Sequence, residues 1–211
     1  PLDGPATVPP FVFEGYTIAT EQIAWTPNDH LLITLRDVTD DSVGIYEVDP
    51  ASEREFLQPR LRIANGSSPT VSHDGSVIAF ERDTDGFSQI WTTTLIGFGE
   101  QKISEHPTGI SCFEPDFGPQ ALYFLCEIDG VASLFRYDTA GSLVMYQSTG
   151  DAEISHPAAA PAPGYLGYDD GTRIYLRRDS DAASIEAVLA QDETGNVKFS
   201  MLRWQPSFQV R

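Results

Sequence analysis

The chain has 211 residues, 41% of them hydrophobic and 11% aromatic, and sets 31 Asp and Glu against 13 Lys and Arg for a formal charge of −18. That length and aromatic content suit one folded domain with a sizeable core and argue against intrinsic disorder. The scarcity of Lys and Arg argues against nucleic acid, whose phosphates need cationic side chains, and against docking on anionic lipid; basic, neutral or cationic partners are favoured.

No run approaches the roughly 20 apolar residues of a membrane helix, so no direct membrane insertion is expected. The start, Pro1-Leu2-Asp3-Gly4-Pro5, has neither an initiator Met nor a signal peptide and reads as a processed or trimmed end. Pro1, Pro5, Pro9 and Pro10 make residues 1–10 an extended tether, ahead of a single domain over residues 11–211. Such a tether often leaves a mature exported domain behind its anchor, although a trimmed cytoplasmic chain looks the same. Together with the cysteines it points to an extracytoplasmic protein, periplasmic, surface-bound or secreted.

A strand, turn and strand then recur along the chain. Ile23-Ala24-Trp25-Thr26-Pro27-Asn28-Asp29 leads into Leu31-Leu32-Ile33-Thr34-Leu35, and Pro69-Thr70-Val71-Ser72-His73-Asp74-Gly75 leads into Val77-Ile78-Ala79-Phe80. A third copy is Pro115-Asp116-Phe117-Gly118-Pro119-Gln120 with Ala121-Leu122-Tyr123-Phe124, and a weaker fourth is Pro157-Ala158-Ala159-Ala160-Pro161 with Tyr165-Leu166-Gly167-Tyr168. The turn positions Pro27, His73, Pro119 and Pro161 stand 46, 46 and 42 residues apart. Downstream of each copy a third strand carries an apolar-aromatic pair: Ile45-Tyr46, Ile90-Trp91, Leu134-Phe135 and Ile174-Tyr175.

A period of about 40 to 45 residues made of short strands and turns is the sign of an all-β fold, a β-propeller with about four recognisable four-stranded blades. One blade has two apolar faces and must stack on neighbours to bury them. The weak alternation of Val77-Ile78-Ala79-Phe80 fits an inner strand covered on both sides. Only Ala182–Ala190 offers a helix, and it fits a strand as well.

These copies resemble the TolB-like, WD-type propeller repeat, whose blades carry a motif close to P-x-W-S-P-D-G, then an apolar strand, then Q-I-Y. Pro69–Gly75 with Gln89-Ile90-Trp91, and Trp25–Asp29 with Gly44-Ile45-Tyr46, come closest. His73 replaces the second motif proline, Gln120 the motif Asp, and the fourth turn, Pro161-Ala162-Pro163-Gly164, has no Asp. The resemblance implies a fold more than a function, because such propellers serve as binding scaffolds, as gating domains of peptidases and as enzymes.

Both ends read as parts of further repeats. Trp204-Gln205-Pro206 matches Trp25-Thr26-Pro27 and would open a fifth copy, and Tyr16-Thr17-Ile18-Ala19 reads as the outer strand of a preceding blade. The chain is then either a closed ring of four or five blades, the favoured reading, or a segment of a larger propeller, whose exposed edges would tend to aggregate.

Loops joining second to third strands emerge on one face of a propeller, with those leading into the next blade. Here the former hold Asp37, Asp40 and Asp41, then Asp83 and Asp85, then Asp129, then Asp169 and Asp170. His106 and His156, each followed by proline, lie in the blade-to-blade loops of the same face. The candidate binding face is therefore Asp40, Asp41, Asp83, Asp85, Asp129, Asp169, Asp170, His106 and His156, which would attract a basic protein or peptide partner. Ordinary turn chemistry accounts for the same aspartates. Ca²⁺ is the one cofactor the carboxylates suggest, against a reading with none, since Asp83-Thr84-Asp85-Gly86 lacks the downstream Glu of a full calcium loop.

Glu105, His106, Glu153 and His156 could hold a transition metal or exchange protons, but no spacing supports a metal site. There is no G-x-S-x-G elbow and no phosphate-binding glycine loop, so no catalytic residue is assigned. The recurring aromatics read as core between blades rather than a sugar platform. Cys112 and Cys126 flank a hairpin turn near Pro119, and a symmetric register would set them opposite each other, as a disulfide or as two buried thiols.

The leading expectation is a non-catalytic binding or scaffold propeller that engages a protein or peptide partner through the acidic loop face. The alternatives are the propeller portion of a larger enzyme, such as a propeller-gated peptidase, and a metal-dependent glycan-active propeller.

Overall fold

The computed structural model describes residues 13–51, 58–104, 109–138, 140–146, 154–160, 165–170, 173–178 and 187–191. The proline-rich residues 1–10, His106 and the fifth-copy residues 204–206 lie outside them. The first sheet holds β1 (Tyr16–Trp25), β2 (Leu31–Asp37), β3 (Val43–Val48) and β4 (Arg60–Ala64); the second holds β5 (Ser67–Val71), β6 (Val77–Thr84), β7 (Phe87–Thr94) and β8 (Gln101–Lys102). The third holds β9 (Ser111–Phe117), β10 (Ala121–Ile128), β11 (Val131–Asp138) and β12 (Leu143–Tyr146), and the fourth β13 (Ser155–Ala159), β14 (Tyr165–Asp169), β15 (Arg173–Arg178) and β16 (Ala187–Gln191). Each is an antiparallel meander in sequence order. The stretch open to helix or strand becomes strand β16 over its described part, Ala187–Gln191.

The hairpins follow turn chemistry. Asp85-Gly86 and Asp129-Gly130 close two-residue turns between β6 and β7 and between β10 and β11, with φ of 57° and 84° and of 53° and 78°. Asp-Gly tolerates this left-handed pair, whose twist matches that of the flanking strands.

The second strands of the two middle sheets, β6 and β10, each face a neighbour on either side. Ile78 and Phe80 pack with Leu32, Ile45 and Ile63 of the first sheet, whereas Ala79, next in line, packs towards Leu122 and Phe124 of the third. On the third sheet Tyr123 and Leu125 turn the other way, onto Leu166 and Tyr168 of the fourth. The weak alternation in these strands is thus the mark of cores on both sides. Phe80 and Phe124 are wholly buried, each worth about 1.5–3 kcal/mol of transfer free energy. Trp25 departs from the aromatic pattern: it stands on the inner strand of the first sheet, 58% exposed.

Tyr16-Thr17-Ile18-Ala19 is not the outer strand of a preceding blade. It is the first half of β1, with Tyr16 opposite Asp37 and Ile18 opposite Leu35 on β2. The ladder then shifts, and Ile23 pairs with Ile33, so four residues, 19–22, stand against Thr34 alone. This bulge lengthens the strand and so imitates a separate element in the sequence. On the third sheet, Cys126 lies opposite Cys112 and the two form a disulfide, buried between the second and third sheets.

Candidate functional site

Register aligns the four inner strands. Ala24, Thr70, Asp116 and Ala158 pair with Leu32, Ala79, Tyr123 and Gly167. Two residues earlier on the inner strands stand Gln22, Ser68, Glu114 and His156, at the bulges. Ser68, Glu114 and His156 have φ of 49°, 54° and 52°, and a proline follows each: Pro69, Pro115 and Pro157. Proline suits the position after a bulge, because no ladder donor is required of it there.

A bulge frees a backbone N–H from its own ladder, and the preceding sheet takes it up. Ser68 N donates to Thr34 Oγ1 at 3.1 Å, and Glu114 N donates to Glu81 Oε1 at 2.8 Å. Thr34 and Glu81 occupy the same register of their second strands, two residues beyond Leu32 and Ala79. The equivalent in the third sheet is Leu125, which offers no acceptor; there the Glu114 carboxylate itself accepts His156 N at 2.6 Å. Asp169 fills this register in the fourth sheet and accepts from Ser155 Oγ at 3.1 Å and His156 Nδ1 at 3.0 Å. Gln22 spans the inner strands, its Nε2 donating to Pro115 O at 2.9 Å and reaching Pro69 O at 3.4 Å.

Glu81, Glu114, His156 and Asp169 thus form a hydrogen-bonded chain through three sheets, at the end from which the second-to-third-strand loops emerge. Burial holds the Glu81 carboxyl above its ordinary range, and the nearby Glu114 charge adds to the effect. Asp169 is fully buried and His156 is 28% exposed, so a sequestered carboxylate orients a partly open imidazole. With Nδ1 donating to that carboxylate, Nε2 is left to accept or carry a proton. Among the described residues no hydroxyl is hydrogen-bonded to Nε2.

The other expected face residues are used locally. Asp40 Oδ1 accepts Ser42 N at 2.9 Å, and Ser42's hydroxyl and N–H lower its pKa. Asp41 pairs with Arg36 at 2.9 Å, and Asp83 accepts Gly86 N at 2.9 Å. Asp85 and Asp129 supply the left-handed turn positions. Asp170 accepts Arg173 N at 2.7 Å and the Tyr175 hydroxyl at 2.6 Å. Asp40, Asp41, Asp83, Asp85 and Asp129 are exposed at three separate strand connections; among the described residues of the expected set, only Asp169 and His156 come together. Among the described residues no three His, Cys, Asp or Glu side chains are grouped to hold a metal ion.

Glu81, Glu114 and Gln22 escaped the sequence reading. For Glu114 the signal was a residue before proline recurring at 68, 114 and 156, spacings of 46 and 42 that match the turn period; Gln22 and Glu81 precede no proline.

No family model and no curated protein sequence matches the chain. Solved structures do. TolB from Acinetobacter baumannii superposes with a TM-score of 0.62 at 16% identity, over 81% of this chain and 43% of that one. An oligogalacturonate lyase in complex with manganese gives 0.64 at 15% identity, over 87% and 56%. A chain of a nidogen/laminin complex gives 0.61 at 13%, over 80% and 63%. The chain spans about half the length of these structures, and identities this low carry the fold alone. The four described sheets therefore share the β-propeller fold of these structures, TolB among them.

Proposed function

We propose that the chain is a non-catalytic binding propeller that holds a basic protein or peptide segment over its acidic loop face. The observation that carries the reading is that Asp40, Asp41, Asp83, Asp85 and Asp129, all exposed, stand at the second-to-third-strand end of three successive blades, the end that also holds the Glu81–Glu114–His156–Asp169 chain. With a formal charge of −18, that end favours cationic ligands and speeds their approach. The nidogen/laminin complex, a protein assembly by its name, contains a chain of similar fold and lends support. The reading needs no cofactor. Export is proposed with it, supported by the Cys112–Cys126 disulfide, a bond that persists in oxidising compartments.

A fluorescent hexalysine peptide, titrated at low and physiological salt, tests this. Binding should weaken with salt and fall when Asp40, Asp83, Asp85 and Asp129 are changed together to Asn, while Asp29→Asn with Asp49→Asn, in turns of the other end, leaves it unchanged. Equal loss in both variants would reduce the effect to overall charge and sink the reading.

A second reading, that these blades belong to a larger enzyme, is favoured by the His156–Asp169 pair, because a carboxylate-oriented imidazole suits proton transfer. An activity of the full-length protein lost in His156→Ala, with folding intact, would establish it over the first.

A further inference from the structure

At the opposite end of the second and third blades lies an open groove of about 450 Å³. Unequal turns make it. The first hairpin of the second blade leaves six residues, 72–77, between paired Val71 and Ile78, whereas the third blade leaves only four, 118–121, between Phe117 and Leu122. The partly buried Val77, Phe117 and Tyr137 give the groove its apolar lining, Ile103 and Leu122 lie buried beneath it, and β8, two residues long, flanks its outer side through Gln101.

The rim is polar. His73 and Asp74 stand on the long turn, Asp138 and Tyr137 come from the end of β11, and neither Lys nor Arg lines the groove. Asp138 is occupied: its Oδ1 accepts Ala140 N and Ser142 N, each at 2.9 Å, and its Oδ2 lies 3.6 Å from Arg136. Asp74 is different. All three of its bonds, from Ser72 Oγ at 2.7 Å, Ser76 Oγ at 2.8 Å and Ser76 N at 3.0 Å, fall on Oδ1. They fix the carboxylate in place, lower its pKa to about 2 and leave Oδ2 to face a ligand.

We propose that this groove between the second and third blades binds a small organic cation, an alkyl or aryl ammonium whose apolar body rests on Val77, Phe117 and Tyr137 and whose charge is met by Asp74. The volume lies within the range of about 300–1000 Å³ of small-molecule sites, with the usual apolar floor and few polar groups. An anion would be repelled by Asp74, and a neutral apolar ligand would shed water from that carboxylate without replacing it. A cation answers both.

The test uses phenethylammonium, 2-phenylethanol and phenylacetate, three probes of similar shape and different charge, titrated calorimetrically into the full chain at physiological salt. Phenethylammonium should bind at one saturable site, at least about ten-fold tighter than the alcohol, and phenylacetate should not bind. Asp74→Asn should weaken phenethylammonium about ten-fold. Because Asp74 also braces its turn, the exposed Gln120→Trp, which fills the groove mouth, serves as a second variant and should abolish binding with folding unchanged. Asp83→Asn with Asp85→Asn, on the other end, should leave binding intact, which separates this site from the loop-face reading. No saturable binding at millimolar concentration, equal affinity for the alcohol, or binding that survives Gln120→Trp would overturn the proposal.

Discussion

The backbone N–H of His156 is held at 2.6 Å by the carboxylate of Glu114, 42 residues earlier in the chain. At the two preceding blade junctions the same service comes from second-strand residues, Thr34 for Ser68 and Glu81 for Glu114. The third blade has Leu125 at that register, so the inner-strand glutamate substitutes for it.

Glu114 therefore bears on cohesion between the third and fourth blades. Glu114→Gln keeps an acceptor oxygen and should cost little, whereas Glu114→Ala leaves a bulge N–H without its partner and should cost about 1–3 kcal/mol. Urea denaturation of the two variants checks this, and equal midpoints would refute it.

Glu81 gives stability a pH signature. Its folded pKa lies above the ordinary 4.5, chiefly because of burial, so the folded state keeps a proton that the unfolded chain releases. The contribution of this group is then most favourable below pH 4.5 and declines as pH rises from there through the raised folded value. Glu81→Gln keeps the Oε1 acceptor and cannot ionise. It should match the parent protein at low pH and gain on it as pH rises through that window; stability curves that stay parallel would contradict the assignment.

Gly75 sits where two blades meet at their first turns. Its φ is +71°, and a Cβ added there would lie 1.9 Å from Pro27 Cγ of the preceding blade. Gly75→Ala should cost more than the roughly 1 kcal/mol expected of the left-handed conformation alone. Adding Pro27→Ala should recover the excess but not the conformational part, a coupling that a double-mutant cycle measures.

The Cys112–Cys126 bond closes a short loop within one hairpin, the two residues 14 apart. Replacing both by alanine should lower stability by about 3 kcal/mol on chain-entropy grounds, with a further loss from the emptied core volume. Comparison of guanidinium midpoints tests the direction; an unchanged midpoint would show that the bond does not constrain the unfolded chain.

The sequence by itself determined what repeats. Turn chemistry at Asp85-Gly86 and Asp129-Gly130, prolines at a fixed period and apolar-aromatic third strands each reflect a local rule, and together they specified four-stranded blades and the facing of Cys112 and Cys126. Local rules also misled: the bulge at residues 19–22 made the front of β1 resemble a separate outer strand. Only the tertiary structure decided which polar residues meet. Glu81, Glu114, His156 and Asp169 lie on four different strands, and their contact depends on where bulges release backbone N–H groups and which neighbouring blade offers an acceptor. The groove beside Asp74 has the same origin, since a difference of two residues between adjacent turns has no consequence until the blades stack.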